Sequence, residues 1–211
     1  MDMIWLASYP RSGNTFLRTI LWHCFGLRSG SIYARDLGGN QELEKYVGHV
    51  EHSPGGRVLF PPNNPALVKT HEYPVNAKPA IYVVRDGRAA SVSLWNFYNR
   101  SASLLEIIEG QHRFGTWANH LAAWKPWERK DTLLLEYEEL RGNLPLALEK
   151  LSKFLQRDIV SRQVPDRGEI AGVDGRWVRN KSDWRDAFTD ELLQRFDEIN
   201  GEMMKQMGYE P

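Results

Sequence analysis

The stretch MIWLASYPRSGNTFLRTILWHCF, residues 3–25, governs the reading of the whole chain. Met3 to Ser8 is a short apolar run closed by Tyr9-Pro10, which predicts a buried parallel strand. From Asn14, residues Leu17, Leu21, Cys24 and Phe25 recur at helical spacing and predict a helix to Phe25. Strand and helix are joined directly by YPRSGNTF, residues 9–16. Backbone amides at a helix N-terminus, with the hydroxyls of Ser12 and Thr15, form a cradle for an anion. Gly13 would let the backbone approach a ligand with no Cβ in the way, and Arg11 adds a permanent positive charge. The plainer alternative is an ordinary strand-to-helix turn. The GxxxxGK[ST] pattern of a Walker A loop is absent, which argues for a phosphate-type loop other than an ordinary ATP site.

Further strands are expected at Ala66–Lys69, Ala80–Val84 and Thr132–Leu135. Helices are expected over Gly87–Tyr98, with Ala90, Leu94 and Phe97 on one side, over Ile107–Trp127, and along Leu144, Leu148, Leu151 and Leu155. A last helix starts near Thr189, a suitable N-cap, with Leu192, Phe196, Ile199 and Met203 facing inward. Residues 26–66 carry Gly and Pro breakers and read as irregular, and residues 156–185 read as polar and basic. Strand alternating with helix predicts an α/β fold: one domain over residues 1–211, a parallel sheet flanked by helices.

Composition bounds the function. The 211 residues, 42% hydrophobic and 26% charged, suit a soluble domain with a sizeable core. Lys plus Arg equals Asp plus Glu at 27 each, so no global field draws the chain to nucleic acid or a membrane, and a polyanion must be held by a local cluster. The single cysteine, Cys24, excludes an internal disulfide and fits a cytoplasmic protein. No signal peptide is expected from the opening MDMIWLASYPRSG, and no apolar run reaches the roughly 20 residues of a membrane span.

Two further segments carry chemistry. In VKTHE, residues 68–72, His71 and Lys69 stand at the carboxyl end of an expected strand, where open α/β sheets border their ligand crevice. A histidine there can accept a proton near neutral pH, and Lys69 can neutralise developing negative charge. In IYVVRDGRAASVS, residues 81–93, Arg85 ends a strand and Ser93 lies about two turns along the next helix, so both can converge on one phosphate. The alternative for Arg85 is an ion pair with Asp86 or Asp36.

Together these segments resemble the sulfotransferases that use 3'-phosphoadenosine 5'-phosphosulfate (PAPS). The family pattern YPKSGTTW is similar to YPRSGNTF at 9–16, its KTH to Lys69-Thr70-His71, and its Arg and Ser with seven residues between them to Arg85 and Ser93. Tyr137-Glu138-Glu139 resembles the segment whose Tyr approaches the adenine. DWRDAFT at 183–189 is similar to the family's GDWKNxFT, and Gly208-Tyr209 also fits, so the resemblance spans residues 4–209. It implies a P-loop-like fold and transfer of a sulfuryl group from PAPS to a hydroxyl or amine of a small-molecule or glycan acceptor. By the same resemblance His71 is the general base, and Arg11 and Lys69 stabilise the developing charge. Arg11, Ser12, Gly13, Asn14, Thr15 and Phe16 hold the donor's 5' end, Arg85 and Ser93 its 3'-phosphate and Tyr137 its adenine, with no metal. Arg11 stands for a Lys and Phe16 for a Trp. The family's RKG triplet has no match, leaving Arg179 and Lys181 as candidates beside the 3'-phosphate. The dimer motif KxxxTVxxxE becomes Arg185, Thr189, Asp190 and Gln194, so oligomeric state stays open. The alternatives are a P-loop kinase, against which the missing GK[ST] and Walker B aspartate count, and a non-catalytic nucleotide-binding module, against which His71 counts.

Overall fold

A computed structural model describes residues 3–50, 60–62, 64–173 and 183–210. Among these, strands β1 (Met3–Ala7), β2 (Ser29–Ser31), β3 (Ala66–Thr70), β4 (Ala80–Val84) and β5 (Thr132–Glu136) form one parallel sheet in the order β2-β3-β1-β4-β5. Alternate residues of the central strands enter opposite cores, because successive strand side chains point to opposite faces. Ile4, Leu6, Ile81 and Val83 pack with Leu17 and Leu21 of α1 (Asn14–Phe25), and with Leu148 and Leu151 further along the chain. Ala7, Tyr82 and Val84 pack on the other face with Ala90, Trp117, Leu121 and Phe196. Burial on both faces explains why β4, Ala-Ile-Tyr-Val-Val, reads as a continuous apolar run.

The chain runs from β1 to β3 on one side and crosses back to β4 on the other. The carboxyl end of β1 is therefore the point where strand order reverses and a crevice opens. In a row along that edge stand Tyr33 and Asp36 after β2, His71 after β3, the 8–13 loop after β1, Arg85 after β4 and Tyr137 after β5.

Most expected helices form, with two corrections. Residues 26–66 are not wholly irregular: they contain β2 and α2 (Gln41–Val47). Asn40 caps α2 by accepting from the amides of Glu42 and Leu43, and Gly48, at φ 63°, ends it. After α3 (Gly87–Phe97), the single helix expected over Ile107–Trp127 is two, α4 (Leu104–Ile108) and α5 (Trp117–Trp124). Gly110 and Gly115 adopt φ of 69° and 65° between them, and Thr116 caps α5 through the amide of Asn119. A Cβ on Gly110 would lie 2.4 Å from the Thr116 nitrogen, so the reversal requires glycine. That turn carries Arg113 and Phe114 to the crevice wall and His112 to Tyr9. Helices α6 (Tyr137–Gly142), α7 (Leu144–Leu155), α8 (Arg167–Val173) and α9 (Asp190–Gln206) complete the described layers, with α8 inside the stretch read as polar and Thr189 capping α9 as expected. No described helix is long and apolar enough to cross a membrane.

Candidate functional site

The loop after β1 is shaped by two left-handed residues, Arg11 at φ 66° and Gly13 at φ 102°. Gly13 is the N-cap of α1 and offers no side chain to the first-turn amides. The amides of Asn14, Thr15 and Phe16 are thus left for a ligand, at the positive end of the helix. Ser12 is fully buried, its Oγ has no hydrogen-bond partner, and it is not part of the cavity wall. The Asn14 side chain has a structural job: its Nδ2 donates to the Leu6 carbonyl at 2.8 Å and ties the helix start to β1. The backbone of Asn14 remains part of the cradle.

Arg11 and Arg85 reach the same cradle from two strands. Arg11 Nε donates to Ser93 Oγ at 3.3 Å, and its guanidinium lies 4.9 Å from the Phe97 ring centre. Arg85 Nη1 donates to the Arg11 carbonyl at 3.0 Å, and its guanidinium lies 4.6 Å from the Tyr137 ring centre. Neither acidic partner considered for Arg85 is used by it. Asp86 caps α3 and pairs with Arg88, and Asp36 is engaged elsewhere.

His71 is held from both ends. Its Nδ1 lies 2.8 Å from the Ser8 carbonyl, which only accepts, so Nδ1 carries the proton. Among the described residues Nε2 makes no hydrogen bond and keeps its lone pair. The His71 amide donates to Tyr33 Oη at 2.9 Å, and its carbonyl accepts from His120 Nε2 at 3.0 Å. The ring stacks on Tyr33, with centroids 6.0 Å apart, and meets the edge of Phe114 at 6.1 Å. Burial, then the positive charge of Lys69, holds the imidazole well below its ordinary value and favours the neutral base.

Lys69 is buried, and its Nζ lies 2.5 Å from Asp36 Oδ1. Asp36 also pairs with Arg18, which donates to Ser29 Oγ at 2.8 Å and lies 2.7 Å from His49 Nδ1. Burial alone would push the Asp36 carboxyl up, but Lys69 and Arg18 outweigh it and hold the group below its ordinary value. Burial also lowers Lys69, with Asp36 opposing.

Arg11, Lys69, His71, Arg85 and Ser93 therefore share one cavity of about 480 Å³ with Gly13–Phe16 and Tyr137. Arg179 and Lys181 lie outside the described residues. Sequence reasoning missed Tyr33, Asp36, Arg113 and Arg141, all on the cavity wall. For Arg141, whose guanidinium lies 6.0 Å from the Tyr137 ring centre, the available signal was its spacing one helical turn after Tyr137. Among the aromatics of this region, Trp117 and Trp124 are core, whereas Phe97 and Tyr98 line the cavity. His120 and His112 also belong to this neighbourhood, the latter through a 3.2 Å contact between Nε2 and Tyr9 Oη.

Comparison with known proteins gives consistent results. The model of the family described as Sulfotransferase domain matches residues 1–167. Sulfotransferase 1 family member D1 of mouse is 29% identical over 75% of this chain and 60% of its own length. Mouse sulfotransferase 1E1 is 24% identical over 97% of this chain and 84% of its own. The chain spans about three fifths of the length of several such relatives. The crystal structure of mouse sulfotransferase SULT7A1 complexed with PAP superposes with a TM-score of 0.66 at 22% identity, covering 98% of this chain and 85% of the other, which establishes a shared fold.

Proposed function

The chain belongs to the sulfotransferase family, and on that premise we propose that it transfers a sulfuryl group from PAPS to a hydroxyl or amine of a small-molecule or glycan acceptor. The observation that carries this reading is the sharing of one cavity by the uncapped start of α1, the basic side chains of Arg11, Lys69 and Arg85, and an imidazole whose Nε2 keeps its lone pair. Residues 1–211 act as one domain, in the cytoplasmic setting to which the lone Cys24 points.

The residues present fit the donor. The amides of Asn14, Thr15 and Phe16 suit a terminal phosphosulfate, and Arg85 and Ser93 suit a 3'-phosphate. The rings of Phe16 and Tyr137 suit an adenine. Bound PAPS supplies an activated sulfuryl group. His71 Nε2 takes the acceptor's proton as the new oxygen–sulfur or nitrogen–sulfur bond forms. Arg11, Lys69 and the loop amides stabilise the charge that gathers on the oxygen leaving sulfur. Fixed cations do this work, so the scheme calls for no metal.

The test has two arms. Adenosine 3',5'-bisphosphate (PAP) should bind at least about tenfold more tightly than AMP, since charge-assisted hydrogen bonds to a 3'-phosphate contribute roughly 1.5–3 kcal/mol each. Calorimetry showing equal affinities would remove the 3'-phosphate role of Arg85 and Ser93. A panel of acceptors incubated with labelled donor and read by mass spectrometry tests transfer itself.

A further inference from the structure

The order of strands divides the cavity. The donor groups stand at the ends of β1, β4 and β5: the 11–16 loop, Arg85, Ser93, Tyr137 and Arg141. Another part of the wall lies on the β3 and β2 side, where His71, Tyr33 and Arg35 stand with Phe114 and Arg113 from the 109–116 turn, and α3 and the residue after it add Phe97 and Tyr98. An acceptor that meets His71 Nε2 must occupy this half.

Its chemistry is specific. Tyr33 and Phe114 flank the imidazole with aromatic surface. Arg113 lies 5.7 Å from the Tyr33 ring centre and 5.1 Å from that of Phe114, and pairs with Glu72. Arg35 is exposed on the cavity wall, and among the described residues no carboxylate pairs with it. Its backbone position is fixed by its neighbours. Asp36 and Leu37 are buried, Asp36 is locked by Lys69 and Arg18, and Tyr33 Oη donates to Glu72 while accepting from the His71 amide. The acidic side chain on this part of the wall, Asp36, is already neutralised. The acceptor half thus presents aromatic surface, a proton acceptor and a surplus of guanidinium charge.

Resting on the transfer reading above, we infer that the acceptor is a hydroxylated aromatic carboxylate, its hydroxyl at His71 and its carboxylate held by Arg35 with Arg113. A guanidinium matches a carboxylate in fork geometry, and a partly enclosed pair gains more than a fully solvated one.

The probes are 4-hydroxyphenylacetate and its neutral amide, titrated by calorimetry against the protein with and without saturating PAP. The acid should bind about tenfold more tightly than the amide, the effect of one well-formed charge-assisted pair. In Arg35→Ala, whose side chain is exposed and whose loss leaves the core intact, the ratio should fall toward one, and further in the double variant with Arg113→Ala. Equal affinity for acid and amide, no binding of either, or an unchanged ratio in the double variant would each overturn the inference. Failure of PAP to bind sinks the transfer reading instead, and the acid–amide comparison without nucleotide still decides the charge preference of the pocket.

Discussion

At the scale of single residues, the decisive property of His71 is the separation of its two nitrogens. Nδ1 is committed to the Ser8 carbonyl, so the ring can turn only at the cost of that bond, and the backbone beneath it is pinned by Tyr33 and His120. Nε2 keeps its lone pair, and His71 lines the cavity. His71→Asn should therefore lower transfer by about 10²–10⁴-fold, the usual contribution of a general base, while leaving PAP affinity nearly unchanged. Loss of nucleotide binding in the variant would make His71 a structural residue. The neutral imidazole is favoured by burial and by Lys69. Because the base acts unprotonated, activity should survive mild acid, with the acid limb of kcat/KM below the ordinary histidine value of 6.5. A limb at or above that value would show that the buried environment does not control the base.

At the scale of elements, the loop between β1 and α1 depends on one close approach. A Cβ on Gly13 would lie 2.4 Å from Tyr137 Cδ2, and φ of 102° disfavours any L side chain. Tyr137 in turn carries the Arg85 guanidinium. Gly13→Ala should cost on the order of 1–3 kcal/mol of stability and displace the ring, weakening PAP binding. Gly39→Ala is the control: φ is 70°, but nothing lies within 4 Å of the new Cβ, so stability should fall without loss of nucleotide affinity. Equal nucleotide binding by both variants would refute the coupling through Tyr137. This loop was legible in sequence because an apolar run, a Pro-Arg-Ser-Gly turn and a helical repeat follow one another within local reach. The α4–α5 break was hidden because Trp117, Leu121 and Trp124 prolong the apolar spacing of Ile107 and Ile108, although Gly110 and Gly115 mark the reversal. For α2 the Asn40 cap and Gly48 were readable signals. The roles of Asp36 and Tyr33 were not, since their partners Lys69 and His71 lie more than thirty residues away and only the adjacency of β2 and β3 joins them.

At the scale of the whole molecule, the carboxyl edge of the sheet buries ionisable groups between two apolar layers, and stability should carry their signature. His120 is fully buried, accepts from Tyr82 Oη at 2.7 Å through Nδ1 and donates through Nε2 to the His71 carbonyl. Burial lowers it from 6.5 to about 4, against the opposing pull of its backbone hydrogen bonds. Above pH 6.5 neither the folded nor the unfolded chain protonates this ring. Between pH 6.5 and about 4 the unfolded chain takes up a proton that the folded chain refuses, so stability is lost as pH falls. Below about 4 both states are protonated and the loss from His120 stops growing. A shift of this size corresponds to something on the order of 3 kcal/mol, and His71, lowered for similar reasons, acts in the same direction. Urea unfolding between about pH 7.5 and pH 5, above most carboxylate titration, isolates the histidine contribution. Wild type should lose stability steadily over that range, and His120→Gln, which keeps an amide donor for the His71 carbonyl but cannot titrate, should lose distinctly less. Identical slopes for the two proteins would mean that His120 takes up its proton in the folded state, and that the layer above the sheet admits water where the packing of Tyr82, Tyr9 and Trp124 excludes it.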